Sequence, residues 1–371
     1  MIQETLLKSE EQAVFALRSL YRGYGYLPFR MSKFEEYELY IRNKDFLVSD
    51  RIITFNDTNG RLMALKPDVT LSIVKNSREP EGSVRKVYYN ENVYRPARGS
   101  RCFKEIMQVG LECIGQVDAY CISETLALAE KSLSEISPEY VLDISSLDML
   151  SYVLERMDCA EDVRKRILSC IGEKNRHDLV KVCADAGIPE SASAPLLALL
   201  SCGETCEDVR NTLWDLYDDP VWHGMIDALT QAVSVLPADS IRAEHVRIDF
   251  SVIHDMYYYN GIVFCGFVRG IPNSVLSGGQ YDRLMSRMGK SERAVGFAVY
   301  LDQLELLEKK AAEYDADVLL LYDTDTPLPL LHETVSALTA EGKCVLAERK
   351  IPEKMRFREI RDLRGEGGRN A

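Results

Sequence analysis

At 371 residues the chain is longer than one core usually supports, and its 46% apolar and 28% charged residues place it among soluble globular proteins of two or three domains. A net charge of -13, from 58 carboxylates against 45 lysines and arginines, disfavours broad contact with nucleic acid. The charged start "MIQETLLKSEEQ" lacks the apolar centre of a signal peptide, no stretch nears the ~20 apolar residues of a membrane span, and ten scattered cysteines show no zinc-type spacing; a cytoplasmic protein without metal or cofactor is expected.

In chain order, "EEQAVFALRSLYRGYGY" carries apolar side chains at helical spacing and stops at glycines, which predicts a helix. "RIITFNDTNGRLMALKP" holds two short β-rich runs around Asn59-Gly60, a hairpin signal. "RKVYYNENVYRP" and "KEIMQVGLECIG" read as the next two strands, joined by a basic loop that gathers Arg95, Arg98, Arg101 and Lys104. Strands that follow one another through short turns predict an antiparallel sheet. A helix is expected from Ser123 to about Glu135, then a strand in "EYVLDISS" and a helix in "LDMLSYVLERM". From about 148 to 236 the pattern is helical almost throughout, broken at Pro189 and Gly203, and reads as an insertion. Strands resume in "HVRIDFSVI", in "YYYNGIVFCGFVR" with a hairpin signal at Asn260-Gly261, and in "SGGQYDRL"; "AVGFAVYLDQLELLEKKAAE" reads as strand into helix. Residues 1–308 are therefore expected to form an α+β core. Residues 315–371 form a short α/β appendage, a β-α-β run followed by a disordered tail. No P-loop and no strand-linked GxGxxG occurs.

Three stretches carry candidate chemistry. The arginines of the basic loop suit a phosphate or carboxylate, or simply keep a surface hairpin soluble. On a regular strand Gln108 and Glu112 point to one face, and the apolar residues around them imply an enclosed carboxylate that wants a cation or a hydrogen-bond donor. An arginine partner is one solution; a ligand's imidazole or amine is the other. In "LKPDVTLSI", Asp68 and Thr70 fit either a helix cap or an α-ammonium group. In "HDMYYYNGIVF", Tyr258 and Tyr259 are strand formers or pocket walls, and His254 is a packed residue or a catalyst.

Taken together and in order, "GYGYLPFRMSKFEEYELY", "LKPDVT", "VYRPARGSRCFKEIMQVGLECIG", "YYYNGIVF", "SGGQYDRL" and "AVGFAVYLDQL" resemble the catalytic core of class II aminoacyl-tRNA synthetases, the histidyl enzyme specifically, over about residues 5 to 308. The resemblance implies an antiparallel six-stranded sheet with flanking helices and a helical insertion, a homodimer built through the first motif, and a histidine pocket beside an ATP site. Asp68 and Thr70 stand where the family's "PEGT" contacts the ammonium group. Gln108 and Glu112 match the glutamine and glutamate of "QLGCE", and Tyr258 and Tyr259 the tyrosines of "GLDYY".

The ATP site implied by the family is degenerate here. Arg95 is followed by Pro96 and Ala97 where the family has "RxE". Lys104 replaces an arginine, His254 takes the place of the arginine in "RGLDYY", Gln280 that in "GGRYD", and Gln303 that in "GLER". Each lost cation removes charge from a phosphoryl transition state. A core that keeps the histidine pocket and loses the ATP site is similar to the synthetase paralogues that serve as ATP phosphoribosyltransferase regulatory subunits. That group implies a short-form catalytic subunit as partner, free histidine as ligand, a homodimer within a hetero-oligomer, and no tRNA. A divergent histidine–tRNA ligase and another amino-acid-binding paralogue are the alternatives.

Overall fold

The amphipathic spacing after Lys8 folds as α1 (Ser9–Gly23), which buries Val14, Leu17 and Tyr21 along one side. In the computed structural model the described residues are 8–47, 49, 51–77, 82–96, 102–238, 240, 244–253, 256, 258–307 and 314–365, and the chain divides into two compact units, 1–307 and 308–371.

The first unit continues through β1 (Leu27–Pro28), β2 (Phe34–Glu36) and α2 (Tyr37–Arg42) to the expected hairpin of β3 (Thr54–Asn56) and β4 (Leu62–Leu65). Its turn is closed by Asp57, whose Oδ1 accepts from the amides of Asn59 and Arg61, with Gly60 at φ +77. After α3 (Thr70–Asn76), β5 (Val84–Pro96) and β6 (Phe103–Gly115) pair antiparallel along their full length, from Val84↔Gly115 to Pro96↔Phe103. Then come α4 (Ala119–Ile136), capped by the Asp118 carboxylate on the Cys121 amide, and β7 (Tyr140–Ser146). A run of helices follows: α5 (Leu147–Glu155), α6 (Glu161–Gly172), α7 (Arg176–Asp185), α8 (Glu190–Ser201), α9 (Cys206–Leu213) and α10 (Pro220–Ser234). Pro189 precedes α8 and Gly203 lies between α8 and α9, so both breaks fall where expected. The unit ends with β8 (Val246–Ile248), β9 (Asn260–Val268), β10 (Leu276–Gln280), α11 (Asp282–Arg287) and β11 (Arg293–Tyr300). Leu301–Leu307 is a 3₁₀ turn, not the α-helix expected there.

The main sheet has the order β1-β5-β6-β11-β10-β9-β7-β8. The six strands from β5 to β7 in that order are antiparallel to their neighbours, which is the expected fold class. Two short parallel strands, β1 beside β5 and β8 beside β7, extend it to eight. β8 falls within the expected "HVRIDFSVI" run but stops after three residues, whereas the two residues of β1 give no readable alternation. A second difference lies at Asn260-Gly261. No hairpin forms there; the pair opens β9, and the register to β10 jumps from Gly279↔Val263 to Gln280↔Asn260. This bulge leaves Gly261 (φ +61) and Ile262 without β10 partners.

The back face of the sheet, with Leu111, Phe297, Phe264 and Leu142, packs on α1 and α4 through Leu17, Leu126 and Leu133. Each such fully buried aliphatic side chain is worth about 1.5–3 kcal/mol. The front face meets a smaller cluster of Tyr89, Leu71, Tyr258, Tyr281 and Leu284. Among the described residues no helix is long and apolar enough to cross a membrane.

The second unit has β12 (Ala316–Leu321), α12 (Leu328–Ala340) and β13 (Val345–Glu348), the expected β-α-β run, plus β14 (Phe357–Asp362). The three strands are parallel with β12 central, and Val318, Leu320 and Leu338 form the core. The charged "FREIRD" of β14 lies mostly exposed at an edge, so it carries no apolar pattern to read.

Candidate functional site

Strand β6 points Gln108, Gly110 and Glu112 to the front, between Glu91, Tyr89 and Val87 of β5 and Tyr300, Ala298 and Gly296 of β11. Glu112 is only 2% exposed. Its carboxyl group meets no arginine among the described residues. Instead Thr70 Oγ1 donates to Oε1 (2.8 Å) and the Tyr281 hydroxyl to Oε2 (2.7 Å). Burial pushes Glu112 up to about 8; the two hydroxyls oppose this, and the Asp68 carboxylate adds to it. The room for the carboxyl group comes from Gly296, directly opposite in register: a Cβ there would overlap Oε2 of Glu112.

The "KPDVT" segment is held against β5 by three contacts. The Tyr94 amide donates to the Lys66 carbonyl (3.0 Å), Arg95 Nε to the Pro67 carbonyl (2.6 Å), and fully buried Lys66 reaches Glu91 (2.5 Å). Asp68 is thereby fixed at the start of α3, where its Oδ1 accepts from the Leu71 amide (2.8 Å) while Arg95 stands 3.6 Å from Oδ2. It acts as a helix-start acceptor and still faces the cleft. Burial raises the Asp68 pKa, and Arg95 works against that. Among the described residues these two enclosed carboxyl groups thus have one cation between them, Arg95 at Asp68, an imbalance that a guest with positive charge or N–H donors would relieve.

Tyrosines wall the cleft. Tyr258 lies 4.6 Å from Tyr259 and 6.0 Å from Tyr281, centroid to centroid, and burial holds all three hydroxyls protonated, well above their ordinary range. Gln108 is buried on the same face, and its carboxamide makes no hydrogen bond among the described residues. Asp68, Thr70, Glu112, Tyr258 and Tyr259 therefore come together, with Gln108 further along β6. Tyr281 belongs with them and was missed; the signal was the tyrosine after "SGGQ", which alternation places on the Glu112 side.

The other singled-out residues do not gather as one group. Arg95 turns inward to Asp68, while Lys104, its cross-strand neighbour, is exposed. Gln303 lies in the 3₁₀ turn, bonded to Asn273 (3.3 Å) and Asp302 (3.0 Å). Gln280 turns to the back of the sheet, where Oε1 accepts from the Ile262 amide (2.9 Å), because it precedes Tyr281 and alternation sends the two opposite ways. Ala97 and His254 lie outside the described residues.

A family model described as histidyl-tRNA synthetase matches residues 3–304. The chain belongs to the histidyl-tRNA synthetase family. The family match ends before the second unit begins. Within this family, an ATP phosphoribosyltransferase regulatory subunit of Thermoanaerobacter sp. (strain X514) is 28% identical over 341 residues, 88% of this chain and 87% of that one. A crystal structure described as an ATP phosphoribosyltransferase regulatory subunit/histidyl-tRNA synthetase, from Bacillus halodurans, aligns with a TM-score of 0.75 at 21% identity, over 98% of this chain and 97% of that one. The ATP phosphoribosyl transferase (HisG:HisZ) complex of Thermotoga maritima aligns with a TM-score of 0.61 at 20% identity, over 78% of this chain and 96% of that one. Both structures share the synthetase-like fold described above.

Proposed function

We propose that the chain is a non-catalytic regulatory subunit of ATP phosphoribosyltransferase, which binds free histidine in the Glu112 cleft and works with a short-form catalytic subunit in the first step of histidine biosynthesis. The observation that carries the reading is the buried Glu112 carboxyl group, held by two hydroxyls and no cation among the described residues, beside a second buried acid, Asp68. An imidazole N–H suits Glu112, an α-ammonium suits Asp68, and the unengaged Gln108 carboxamide suits the remaining polar atoms. The rings of Tyr258 and Tyr259 flank this arrangement. The name of the Thermoanaerobacter relative supports the partner, and a homodimer within a hetero-oligomer, acting in the cytoplasm, goes with it.

ATP chemistry is not part of the reading. Lys104 and Gln303 stand where the family's nucleotide-binding arginines belong, Gln303 is tied to Asn273, and Gln280 faces away from the cleft. Ala97 and His254 are the further departures. Family membership itself favours one competing reading, a divergent histidine–tRNA ligase. Two measurements decide. Calorimetry with free L-histidine is expected to give saturable binding, lost in Glu112→Ala, and addition of the chain is expected to activate a short-form catalytic subunit and confer inhibition by histidine. Histidine-dependent exchange of pyrophosphate into ATP is expected to be absent; robust exchange would establish the ligase instead.

A further inference from the structure

A cavity of about 350 Å³ opens on the back of the sheet, away from the Glu112 cleft, between α10, the first turns of α4 and α5, and the bulged start of β9. That volume lies at the small end of the ~300–1,000 Å³ usual for small-molecule sites.

Its polar end is built by the bulge. Gly261 and Ile262 have no partner on β10, and two side chains take their amides instead. Asp148 Oδ1 accepts from Gly261 (3.0 Å) and Gln280 Oε1 from Ile262 (2.9 Å). Their anchors are consecutive amides, so the carboxylate and the carboxamide are held at the same end of the cavity. The backbone donor also fixes which carboxamide atom is oxygen, so the Gln280 nitrogen must face the other way. Gln280 is 4% exposed and Ser123, on α4, 7%; both line the cavity. Neither the Gln280 amino group nor the Ser123 hydroxyl has a hydrogen-bond partner among the described residues. Both atoms belong to buried residues yet open onto the cavity, where a guest would give them partners.

The cavity therefore presents, at one end, an acceptor, Asp148 Oδ2, and an N–H donor, Gln280 Nε2. Gly224, Ala228 and Ala232, four residues apart on α10, form a small-residue stripe in the adjoining wall, flanked by Val221, Met225, Leu229 and Gln231. A flat ring can lie against such a wall. Arg293 at the lining is already engaged, Nε by Asp282 (3.1 Å) and Nη1 by the Val117 carbonyl (3.0 Å), which leaves Nη2 for an anionic substituent.

We propose that this cavity is a second small-molecule site that takes a nucleoside or nucleotide whose base carries an amino group beside a ring-nitrogen acceptor. Adenine and cytosine have that edge: the amino group donates to Asp148 and the ring nitrogen accepts from Gln280. Hypoxanthine and uracil carry the reverse order, a ring N–H beside a carbonyl, and can satisfy the same two groups only with the base turned over, which sends the sugar in a different direction.

Ligand-detected NMR and calorimetry on the full chain test this with adenosine, AMP and cytidine against inosine and uridine. Saturable binding in the millimolar range or tighter is expected for the amino bases, with the reversed bases at least about tenfold weaker. Gln280→Glu keeps an acceptor for Ile262 but replaces the N–H donor by a second carboxylate near Asp148, so it should weaken adenosine binding by about tenfold or more. Ala228→Phe, at an exposed position of α10, fills the cavity and should abolish binding; if it does not fold, Gln280→Glu carries the test alone. Equal affinity for adenosine and inosine, retained affinity in the folded variants, or no saturation by either amino base would overturn the proposal. Histidine titration of the same variants should be unchanged, so failure at this cavity is separable from failure at the Glu112 cleft.

Discussion

Replacing Glu112 by glutamine should flatten the dependence of stability on pH. Glu112 ordinarily titrates near 4.5 but is pushed up to about 8 in the folded chain, chiefly by burial. Since the folded value is the higher one, the folded chain holds the extra proton between these limits. The favourable contribution is therefore complete below about 4.5 and is lost as pH rises through 8. Each pH unit inside the window is worth about 1.4 kcal/mol, so the native chain should lose about 2 kcal/mol from this group between roughly pH 6 and pH 7.5. Glutamine has no proton to release and should lose none of it. Both tryptophans, Trp214 and Trp222, belong to the first unit, so urea unfolding followed by their fluorescence reports on the unit that contains Glu112. The quantity to compare is the stability difference between native and variant chains at the two pH values, in which other titrating groups largely cancel. A change below about 0.5 kcal/mol in that difference would refute the raised value and with it the picture of a neutral, desolvated acid.

The same proton should appear in ligand binding. If histidine pairs with Glu112, its imidazole takes over the proton that the acid already holds, so little is exchanged with solvent near pH 7, whereas above about pH 8.5 close to one proton is taken up. Calorimetry in buffers of different ionisation enthalpy measures this; uptake that stays flat with pH would exclude the pairing. Gly296→Ala should destabilise the first unit by about 1–3 kcal/mol and abolish histidine binding, since its methyl would overlap the Glu112 carboxyl group. Glu91→Gln strands the buried Lys66 ammonium and should cost about 3–5 kcal/mol, with most of that recovered in the double variant Lys66→Met, Glu91→Leu; urea titrations of the three chains check it.

The parts of the fold with strong local signals were legible in sequence. Asn59-Gly60 made its turn, and the alternation in "KEIMQVGLECIG" put Gln108 and Glu112 on one face. Residues whose state is set by distant neighbours were not. Asn260-Gly261 carries the same turn chemistry as Asn59-Gly60, yet it opens a bulged strand because Asp148 and Gln280 satisfy the freed amides. Glu112 announced that it needed a partner, but nothing local could tell an arginine from the hydroxyls of Thr70 and Tyr281, which lie 42 and 169 residues away. Strand β14 escaped for the opposite reason: an exposed edge has no apolar rhythm to detect.

Gly296 and Gly110 give the cleft an unusual kind of fragility. Next to Glu112 the space is defined by a hydrogen where other residues carry carbon, and across β5 the Tyr89 ring occupies what a side chain on Gly110 would need. Most binding sites fail when a contact is deleted; the proposed one would also fail by gaining a single methyl. A screen for variants that no longer respond to their ligand should therefore return alanines and serines at these two positions as often as changes in the acids themselves.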